Sequence, residues 1–349
     1  MNCTHSIEGV KGSDWLIWPK PRQRRFVLAA VRHWRAKGFP YYRLTDSEID
    51  REVAGLVVAH CDSLLRGTTI ISSTTGLRLA NFFHPQMWHV RCTKYCSPYD
   101  TFQDDAKLAA AIERALTIWP DRCGAGASCL RRILKSFSNT VGVSNFRPSA
   151  AKALISRYCA PGGRVLDFCA GYGGRLLGSM ALNRSYLGID CALEQVQGLR
   201  KMVRVLRHRF PYTATARIIH GAAEDEMRKL PSSAFDLVFS SPPYFNREKY
   251  SLDQGQSFLR YPDVDLWRRC FLGPLISESS RLLKEGGYLV INVHNRHEPL
   301  PRTVRQCAKP PLQLRRHLQM QLARLPYKRK SFSYAFKTEP ILVFTKLVS

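Results

Sequence analysis

A chain of 349 residues, 45% of them hydrophobic, can bury one large core and a smaller second one, and it has no apolar run long enough to span a membrane. Its 53 Lys and Arg against 27 Asp and Glu give a net charge of +26, which favours a polyanionic partner over a membrane surface. The first residues lack a signal-peptide pattern and the 11 cysteines lack disulfide-framework spacing, so we expect a cytoplasmic protein with reduced thiols.

The first part of the chain, residues 1–135, is predicted to be mainly helical and strongly basic. Apolar residues recur at helical spacing in Ser47–Leu65 and in Asp104–Trp119, each entered by a polar capping residue. The basic cluster Pro19–Lys37 is suited to phosphate contacts, so this part is a candidate DNA-recognition region. The segment Arg122–Cys129, "RCGAGASC", predicts a flexible break before the next domain.

The second part, residues 136–349, alternates short apolar runs with helical segments, which predicts an α/β fold with a doubly wound, mostly parallel sheet. The last two segments, Lys330–Phe336 and Pro340–Leu347, are predicted to pair as strands at one edge. Between Pro299 and Thr338 there is no Asp or Glu, so this basic stretch is a second candidate for nucleic-acid contacts. The strand-like runs before them are Gly163–Ala170, Ser185–Cys191, Ala216–Ala222, Phe235–Ser240 and Tyr288–Val293.

A glycine-rich turn follows the first of these strands, in "DFCAGYGGR". Ligands of doubly wound sheets bind at the carboxyl ends of the strands, and Gly171 and Gly173 would let the backbone approach one closely. Asp190 ends the second strand 19 residues beyond Gly171, the spacing of a carboxylate that binds ribose hydroxyls. The pattern predicts a nucleoside ligand, although the spacing of a dinucleotide fingerprint is not met.

The fourth strand ends in "SPPY", Ser241 to Tyr244. Because Pro242 and Pro243 have a fixed φ and no N–H, they hold an extended, rigid loop. We expect the Ser241 hydroxyl and the Pro242 carbonyl to face the ligand cleft as acceptors, with the Tyr244 ring beside them. Two acceptors and one aromatic face suit a planar base that carries an exocyclic amino group.

This motif resembles the "[DNS]PP[YFW]" motif of the amino-methyltransferases, which transfer a methyl group from S-adenosylmethionine to N6 of adenine or N4 of cytosine. The likeness covers about residues 144–349, and the chain is also similar to methyltransferase-like proteins of bacteriophages. It implies the class I methyltransferase (Rossmann-like) fold, S-adenosylmethionine as the cofactor and DNA as the partner. It further implies that Ser241, Pro242, Pro243 and Tyr244 form the catalytic loop.

The resemblance also implies a set of cofactor-binding residues. Arg147 matches the segment before the glycine turn, which holds the methionine end of the cofactor. In the family an Asp often follows the glycine of the third-strand motif, but Ala222 stands there, so Glu224 or Asp225 must contact the adenine ring. Cys169 lies where an aromatic residue is usual. The implied set is Arg147, Asp167, Ala170, Gly171, Gly173, Asp190 and Glu224.

The expected chemistry is methylation of a base that is flipped out of its stack. Serine before the two prolines favours N4-cytosine and the order of the motifs favours N6-adenine, and we take N4-cytosine as the first choice. Two alternatives stay open: methylation of RNA, and an inactive methyltransferase-like protein that binds nucleic acid. A structural zinc on His84, His89, Cys92 and Cys96 is a weaker alternative, because these residues lack the tight Cys-x-x-Cys knuckle.

Overall fold

The computed structural model describes residues 6–348, apart from 72, 93, 138, 295–298 and 325–335. The chain forms two compact units. The first unit consists of Met1–Arg43, Pro85–Ser144 and Glu248–Tyr250. The second consists of Leu44–His84, Asn145–Arg247 and Ser251–Ser349. The division is therefore discontinuous in sequence, unlike the single predicted boundary between residues 135 and 136.

Fifteen helices and eleven strands are assigned within the described residues, and none of these helices has both the length and the apolar character needed to cross a bilayer. The helices are α1 Gly12–Leu16, α2 Lys20–Lys37, α3 Asp46–Val58, α4 Leu77–Phe82, α5 Pro98–Gln103, α6 Asp105–Ile118, α7 Ala127–Leu134, α8 Pro148–Tyr158, α9 Gly174–Ala181, α10 Leu193–Leu206, α11 Ala223–Glu226, α12 Ser257–Arg260, α13 Val264–Trp267, α14 Gly273–Leu282 and α15 Leu300–Cys307. The strands are β1 Leu65–Arg66, β2 Thr69–Ile70, β3 Arg91–Cys92, β4 Arg164–Asp167, β5 Ser185–Asp190, β6 Ala216–His220, β7 Phe235–Ser240, β8 Glu248–Lys249, β9 Leu283–Asn292, β10 Leu312–Arg324 and β11 Phe336–Lys346.

The second unit is built on one large sheet with the order β6-β5-β4-β7-β9-β11-β10, extended by β2 and β1. The strands β6, β5, β4, β7 and β9 are mutually parallel, and β11 runs antiparallel to both β9 and β10. The order reverses at β4, as it does in doubly wound sheets. With its antiparallel strand near the edge, the sheet has the topology of the class I methyltransferase fold, so the predicted fold class is confirmed.

Successive residues of the central strands point to opposite faces of the sheet, and each face buries its own apolar cluster. Val165 and Leu237 pack with the helices α8, α9 and α10 on one face. Leu166 and Val238 pack with α14 and α15 on the other. Burial on both faces explains why these strands are continuous apolar runs rather than alternating ones.

The edge of the sheet differs from the predicted strand pair. Pro340–Leu347 lies almost entirely in β11, as expected, but the partner of β11 is β10, which lies in the basic stretch that had no strand prediction. The predicted partner, Lys330–Phe336, falls outside the described residues except for Phe336, the first residue of β11.

Residues 44–84 belong to the second unit because they pack on its helices. The buried Lys152 of α8 donates hydrogen bonds to three carbonyl oxygens at the carboxyl end of α3, those of Leu56, Val57 and Ala59, at 3.0, 2.7 and 2.9 Å. Apolar residues of α3 and α4, such as Leu56 and Leu79, join the same buried cluster as α8. A boundary near residue 135 would separate these partners.

The first unit is mainly helical, as predicted. Its longest helix, α2, buries one face that includes Val27 and Trp34, and the indole Nε1 of Trp34 donates to the Ala125 carbonyl at 3.0 Å. The predicted flexible break is a packed turn, because a Cβ on Gly124 would lie 2.7 Å from the backbone of Leu116. The strands β3 and β8 form a small antiparallel sheet in this unit.

Candidate active site

The glycine-rich turn joins β4 to α9 in the second unit. Gly171 has φ +55° and Gly173 has φ +77°, conformations that side chains with a Cβ rarely adopt. A Cβ on Gly174 would lie 1.9 Å from the carbonyl oxygen of Phe146, so the segment before α8 lies directly against the turn. Asn145 fixes this contact by donating to the Tyr172 carbonyl at 2.9 Å. The segment before α8 and the glycine turn therefore pack against each other.

Asp190 lies at the carboxyl end of β5, next to the glycine turn. Its two carboxylate oxygens accept hydrogen bonds from the backbone N–H of Gly171 at 2.8 Å and of Ala192 at 3.0 Å. Burial raises the pKa of Asp190 to about 6, while the hydrogen bonds from Ala192 and Gly171 act in the opposite direction. Each oxygen keeps a lone pair for a further donor, so the carboxylate can accept ribose hydroxyls as predicted.

Asp167 and Ala170 are buried next to the glycine turn, and their contact with a cofactor stays a prediction. Asp167 is fully buried, and its carboxylate accepts hydrogen bonds from Arg175, Tyr186 and Ser240 at 2.7 to 2.8 Å. Ala170 is also buried, and its N–H donates to the Ile189 carbonyl. Both residues therefore hold the turn in place through hydrogen bonds within the fold.

Arg175 is a site residue that the sequence analysis missed. It is buried, it pairs with Asp167 through Nε, and it donates to the Cys169 carbonyl at 2.6 Å. Its guanidinium lies 5.4 Å from the ring centroid of Phe146 and 5.8 Å from that of Phe239. The signal was present in the sequence: a lone cation in an apolar helix, eight residues after a strand-end carboxylate. Such a charge is buried only when it is paired.

Arg147, the residue before α8, contacts backbone carbonyls of the same unit. Its guanidinium donates to the backbone carbonyls of Leu322 at 2.5 Å and Ser73 at 3.4 Å, which ties the start of α8 to β10. Burial lowers the pKa of Arg147, with Glu339 acting in the opposite direction. The expectation that Arg147 pairs with a cofactor carboxylate is therefore not supported by its contacts.

Glu224, at the start of α11 after β6, has the contacts of a ligand-binding carboxylate. It is 1% exposed, and its Oε1 accepts hydrogen bonds from Arg260 at 2.6 Å and Tyr261 at 3.0 Å. Its Oε2 is buried and has no hydrogen-bond partner among the described residues. Burial raises the pKa of Glu224. Asp225 is about half-exposed and pairs with Arg260, so of the two candidates Glu224 is the one with a buried oxygen that lacks a hydrogen-bond partner among the described residues.

The catalytic-loop candidates follow β7 directly. The Ser241 hydroxyl lies 3.4 Å from Oδ1 of Asn292, the last residue of β9, and 3.5 Å from the Tyr244 hydroxyl. Asn292 is buried and donates through Nδ2 to the Pro340 carbonyl at 3.2 Å, which fixes Oδ1 toward Ser241. The Pro242 carbonyl accepts no hydrogen bond from any residue that the structure describes. Asn292 was also missed, although a single amide in the apolar run "YLVINV" was a signal.

The aromatic residues of this loop are fixed differently. The Tyr244 ring lies 5.5 Å from the ring of His294, and it is only partly buried. Phe245 has φ +57°, which is strained for a bulky residue, and its ring contacts Trp267 edge-on. Phe245 is therefore held toward the core, and Tyr244 is the aromatic residue next to the Ser241 hydroxyl.

The sheet order brings these residues to one edge. Because β6, β5, β4 and β7 are adjacent and parallel, their carboxyl ends lie side by side. Glu224, Asp190, the glycine turn and Ser241 follow these four ends in that order. The carboxyl end of the sheet thus offers two carboxylates as acceptors for a nucleoside, Asp190 after β5 and Glu224 after β6. The SPPY loop lies next to the glycine turn.

No metal site or activated thiol is found in the described part of the chain. No three His, Cys, Asp or Glu side chains there come together to hold a metal. His84 is buried, which lowers its pKa to about 3, and His89 stacks on Tyr41 at a ring-centroid distance of 6.1 Å. Burial raises the pKa of the thiols of Cys159, Cys169 and Cys191, so they are protonated at neutral pH and are poor nucleophiles.

No protein-family model and no curated protein sequence matches the chain. Among solved structures it is similar to TrmN from Thermus thermophilus, at 17% identity and a TM-score of 0.39, over 57% of this chain and 49% of that one. A SAM-dependent methyltransferase from Methanosarcina mazei aligns at 17% identity and TM-score 0.39, over 56% and 98% of the two chains. An rRNA methylase from Streptococcus thermophilus aligns at 10% identity and a TM-score of 0.39, over 59% of this chain and 100% of that one. The fold assignment rests on the strand order and directions described above.

Proposed function

We propose that the protein is an S-adenosylmethionine-dependent methyltransferase that acts on the exocyclic amine of a base in DNA. The observation that carries the proposal is the place of Ser241–Tyr244. This loop follows β7, next to the strand whose carboxyl end leads into the glycine turn, and its Ser241 hydroxyl is oriented by a buried Asn292. A purely structural loop would not need two consecutive prolines whose connecting carbonyl, that of Pro242, has no donor among the described residues.

The residues at the sheet edge fit the cofactor. Asp190 has lone pairs for two ribose hydroxyls, and the buried Oε2 of Glu224 lacks the donor that an adenine amino group supplies. The positive-φ glycines leave the turn without side chains where the backbone meets a ligand. When bound, S-adenosylmethionine supplies the activated methyl group.

The SPPY loop prepares the target amine for attack. An aromatic amine is a weak nucleophile because its lone pair is delocalised into the ring. Acceptance of its two N–H protons by Ser241 Oγ and the Pro242 carbonyl favours a pyramidal nitrogen with an available lone pair. The Ser241 proton points toward Asn292 Oδ1, so the lone pairs of the hydroxyl are left for the amine. These acceptors are most needed in the transition state, where charge develops on the nitrogen.

A base within a duplex cannot reach this loop, so it must be flipped out. Tyr244 offers the stacking face. Serine at position 241 favours N4 of cytosine as the acceptor, since a neutral hydroxyl stands where adenine enzymes of this type carry a carboxylate. The net charge of +26 supports a polyanionic substrate but does not distinguish DNA from RNA, so RNA is the alternative substrate.

The proposal is tested with Pro242→Ala and Tyr244→Ala in the full-length protein. Both variants should lose methyl transfer from tritiated S-adenosylmethionine to DNA by about a hundredfold or more, while cofactor affinity changes little. Pro231→Ala is the matched control, because Pro231 is an exposed loop proline before β7. Transfer by both variants at the wild-type rate would refute the assignment of the loop.

A further inference from the structure

The second unit contains a cavity of about 270 Å³ that the proposed methyl transfer does not use. It is lined by Leu65, Gly67, Arg157, Tyr158 and Arg316, which belong to the β1–β2 hairpin, the end of α8 and β10. No acidic side chain lines it. All three polar side chains of the lining are therefore hydrogen-bond donors, and two of them are cations.

The Tyr158 hydroxyl has no role in the fold. Tyr158 is 8% exposed, and its hydroxyl is buried without a hydrogen-bond partner among the described residues. The ring itself packs on Tyr288 at a centroid distance of 5.1 Å. A phenylalanine would make the same ring contact without leaving a buried polar group unsatisfied, and such groups are costly. The hydroxyl needs a partner that enters the cavity.

Arg316 reaches this cavity because of a β-bulge. In the β10–β11 ladder Leu314 pairs with Phe344, whereas Arg316 pairs with Val343, so the register shifts at Arg315. The bulge reverses the alternation and places Arg316 on the face of Leu318, toward α8, rather than on the face of Leu314. No acidic partner is described for Arg316 or for Arg157. Burial raises the pKa of the Tyr158 hydroxyl, and the nearby guanidinium groups of Arg316 and Arg157 act in the opposite direction.

We propose that this cavity is a binding site for a phosphate group. Guanidinium groups are weakly hydrated and donate in pairs to phosphate oxygens, and the Tyr158 hydroxyl adds a third donor. The same chemistry serves a free phosphate compound and a phosphate of a nucleic-acid backbone. A cationic ligand would be repelled by the two guanidinium groups, and an apolar ligand would leave the buried Tyr158 hydroxyl without an acceptor.

The site is separate from the candidate active site. Tyr288, which packs on Tyr158, pairs with Leu237, and Leu237 precedes Ser241 by four residues along β7. The cavity therefore lies toward the amino ends of the parallel strands, whereas Ser241 and Asp190 lie at their carboxyl ends. The proposal does not depend on the proposed methyl transfer.

The experiment is calorimetric titration of the full-length protein with inorganic phosphate at constant ionic strength. The wild type should bind phosphate saturably, Arg316→Gln and Arg157→Gln about tenfold more weakly, and Tyr158→Phe about threefold to tenfold more weakly. Arg315→Gln is the matched control, since it removes an exposed charge one residue away and should keep the affinity within about twofold. Without phosphate, Tyr158→Phe should melt at or above the wild-type temperature.

Two further arms identify the source of the phosphate. If the phosphate belongs to a nucleic-acid backbone, a short oligonucleotide displaces inorganic phosphate, and Arg316→Gln weakens oligonucleotide binding more than Arg315→Gln does. If it belongs to a free compound, phosphate still binds saturably but the oligonucleotide does not displace it. The proposal is overturned by non-saturable binding, by an equal loss in Arg315→Gln, by equally tight binding of acetate, or by a lower melting temperature of Tyr158→Phe.

Discussion

Asp190 combines a ligand-binding position with a pKa raised to about 6 by burial. Ribose hydroxyls donate to the charged carboxylate, so cofactor binding favours the deprotonated form. We therefore expect constant affinity for S-adenosylmethionine well above pH 6 and a loss of about tenfold per pH unit below it, because the free protein must first release a proton. Calorimetry from pH 5 to pH 8 checks this. In Asp190→Asn affinity should be lower and the inflection near pH 6 absent; an unchanged pH profile would exclude the role of Asp190.

Glu224 and Asp225 are adjacent carboxylates with different environments. In Glu224→Gln one carboxylate oxygen becomes an N–H₂ group. If this group replaces the unpartnered Oε2, the adenine amino group loses its acceptor; if it replaces Oε1, the contacts with Arg260 and Tyr261 are lost. We expect cofactor affinity to fall by about tenfold or more in Glu224→Gln. The matched control is Asp225→Asn, at a half-exposed side chain, and it should change cofactor affinity by less than about threefold. Equal effects of the two substitutions on the dissociation constant would contradict the assignment.

Asn292 acts through Ser241, so it is a positioning residue. Removal of the Ser241 hydroxyl or of the Asn292 amide should lower kcat by about a hundredfold while cofactor affinity is retained. Steady-state kinetics of Ser241→Ala and Asn292→Leu, with cofactor titration as the control, test this. If Asn292→Leu acts only through folding, it will lower kcat and cofactor affinity together in proportion to the folded fraction.

At the residue scale, side chains at the carboxyl ends of strands could be predicted from the sequence, whereas the buried Arg175 and Asn292, which hold the site residues in place, were missed. Asp190 ends an apolar run and Ser241 follows one directly, so their place at the carboxyl ends of the strands could be inferred from periodicity. Glu224 lies four residues beyond β6 and was expected only from the resemblance, which left Asp225 open as well. The contacts of Arg147 could not be predicted, because a sequence does not show where a long guanidinium side chain ends. The burial of Asp167 depends on Arg175, Tyr186 and Ser240, which come from three different elements, and no local pattern reveals that convergence.

At the element scale, a buried cation helps to join the separate segments of the second unit, beside the apolar contacts of α3 and α4. Lys152 holds the carboxyl end of α3 through three carbonyls, where the helix dipole also favours a positive charge. Lys152→Met should therefore lower the free energy of unfolding by about 2 to 3 kcal/mol, because it leaves buried carbonyls without a donor. Denaturant titration measures it, with the exposed Lys201→Met on α10 as the control. A loss no larger than that of the control would contradict this role.

The parallel core strands could be predicted because burial on both faces makes them apolar runs, and β4, β5, β6 and β7 lie within the predicted segments. β10 could not. Its residues 313–317 are exposed, and the bulge at Arg315 breaks the alternation by which a half-buried strand is recognised. β9 begins at Leu283, five residues before the predicted run, and its first part includes two glycines, which are unfavourable inside strands.

At the scale of the whole molecule, charge is the property that bears on the substrate. In the first unit, the arginines of α2 at 24, 25 and 32 are exposed and have no acidic partner among the described residues. If they contact phosphates, their joint replacement by Gln should reduce the slope of log affinity against log salt by up to about 2.7 for duplex DNA. Filter binding at several salt concentrations measures the slope.

The control for this triple variant removes three cations of the same unit that are already paired with acids. Arg35 pairs with Asp105, Arg91 with Asp100 and Lys107 with Asp104. Their replacement by Gln should leave the slope nearly unchanged, and equal slopes of the two triple variants would refute a specific role of α2. Deletion of residues 1–135 is not a suitable test, because it would also remove α3 and α4 of the second unit.

The most direct test of the central claim is the identity of the methylated nucleoside. The full-length protein is incubated with tritiated S-adenosylmethionine and either DNA or RNA, the nucleic acid is digested, and the labelled nucleosides are identified by mass. We predict label on an exocyclic amine in DNA, as N4-methylcytosine, and no transfer by Pro242→Ala. N6-methyladenine as the sole product would overturn the choice of base but keep the amine chemistry. Label only on a ring carbon or a ribose hydroxyl would contradict the account.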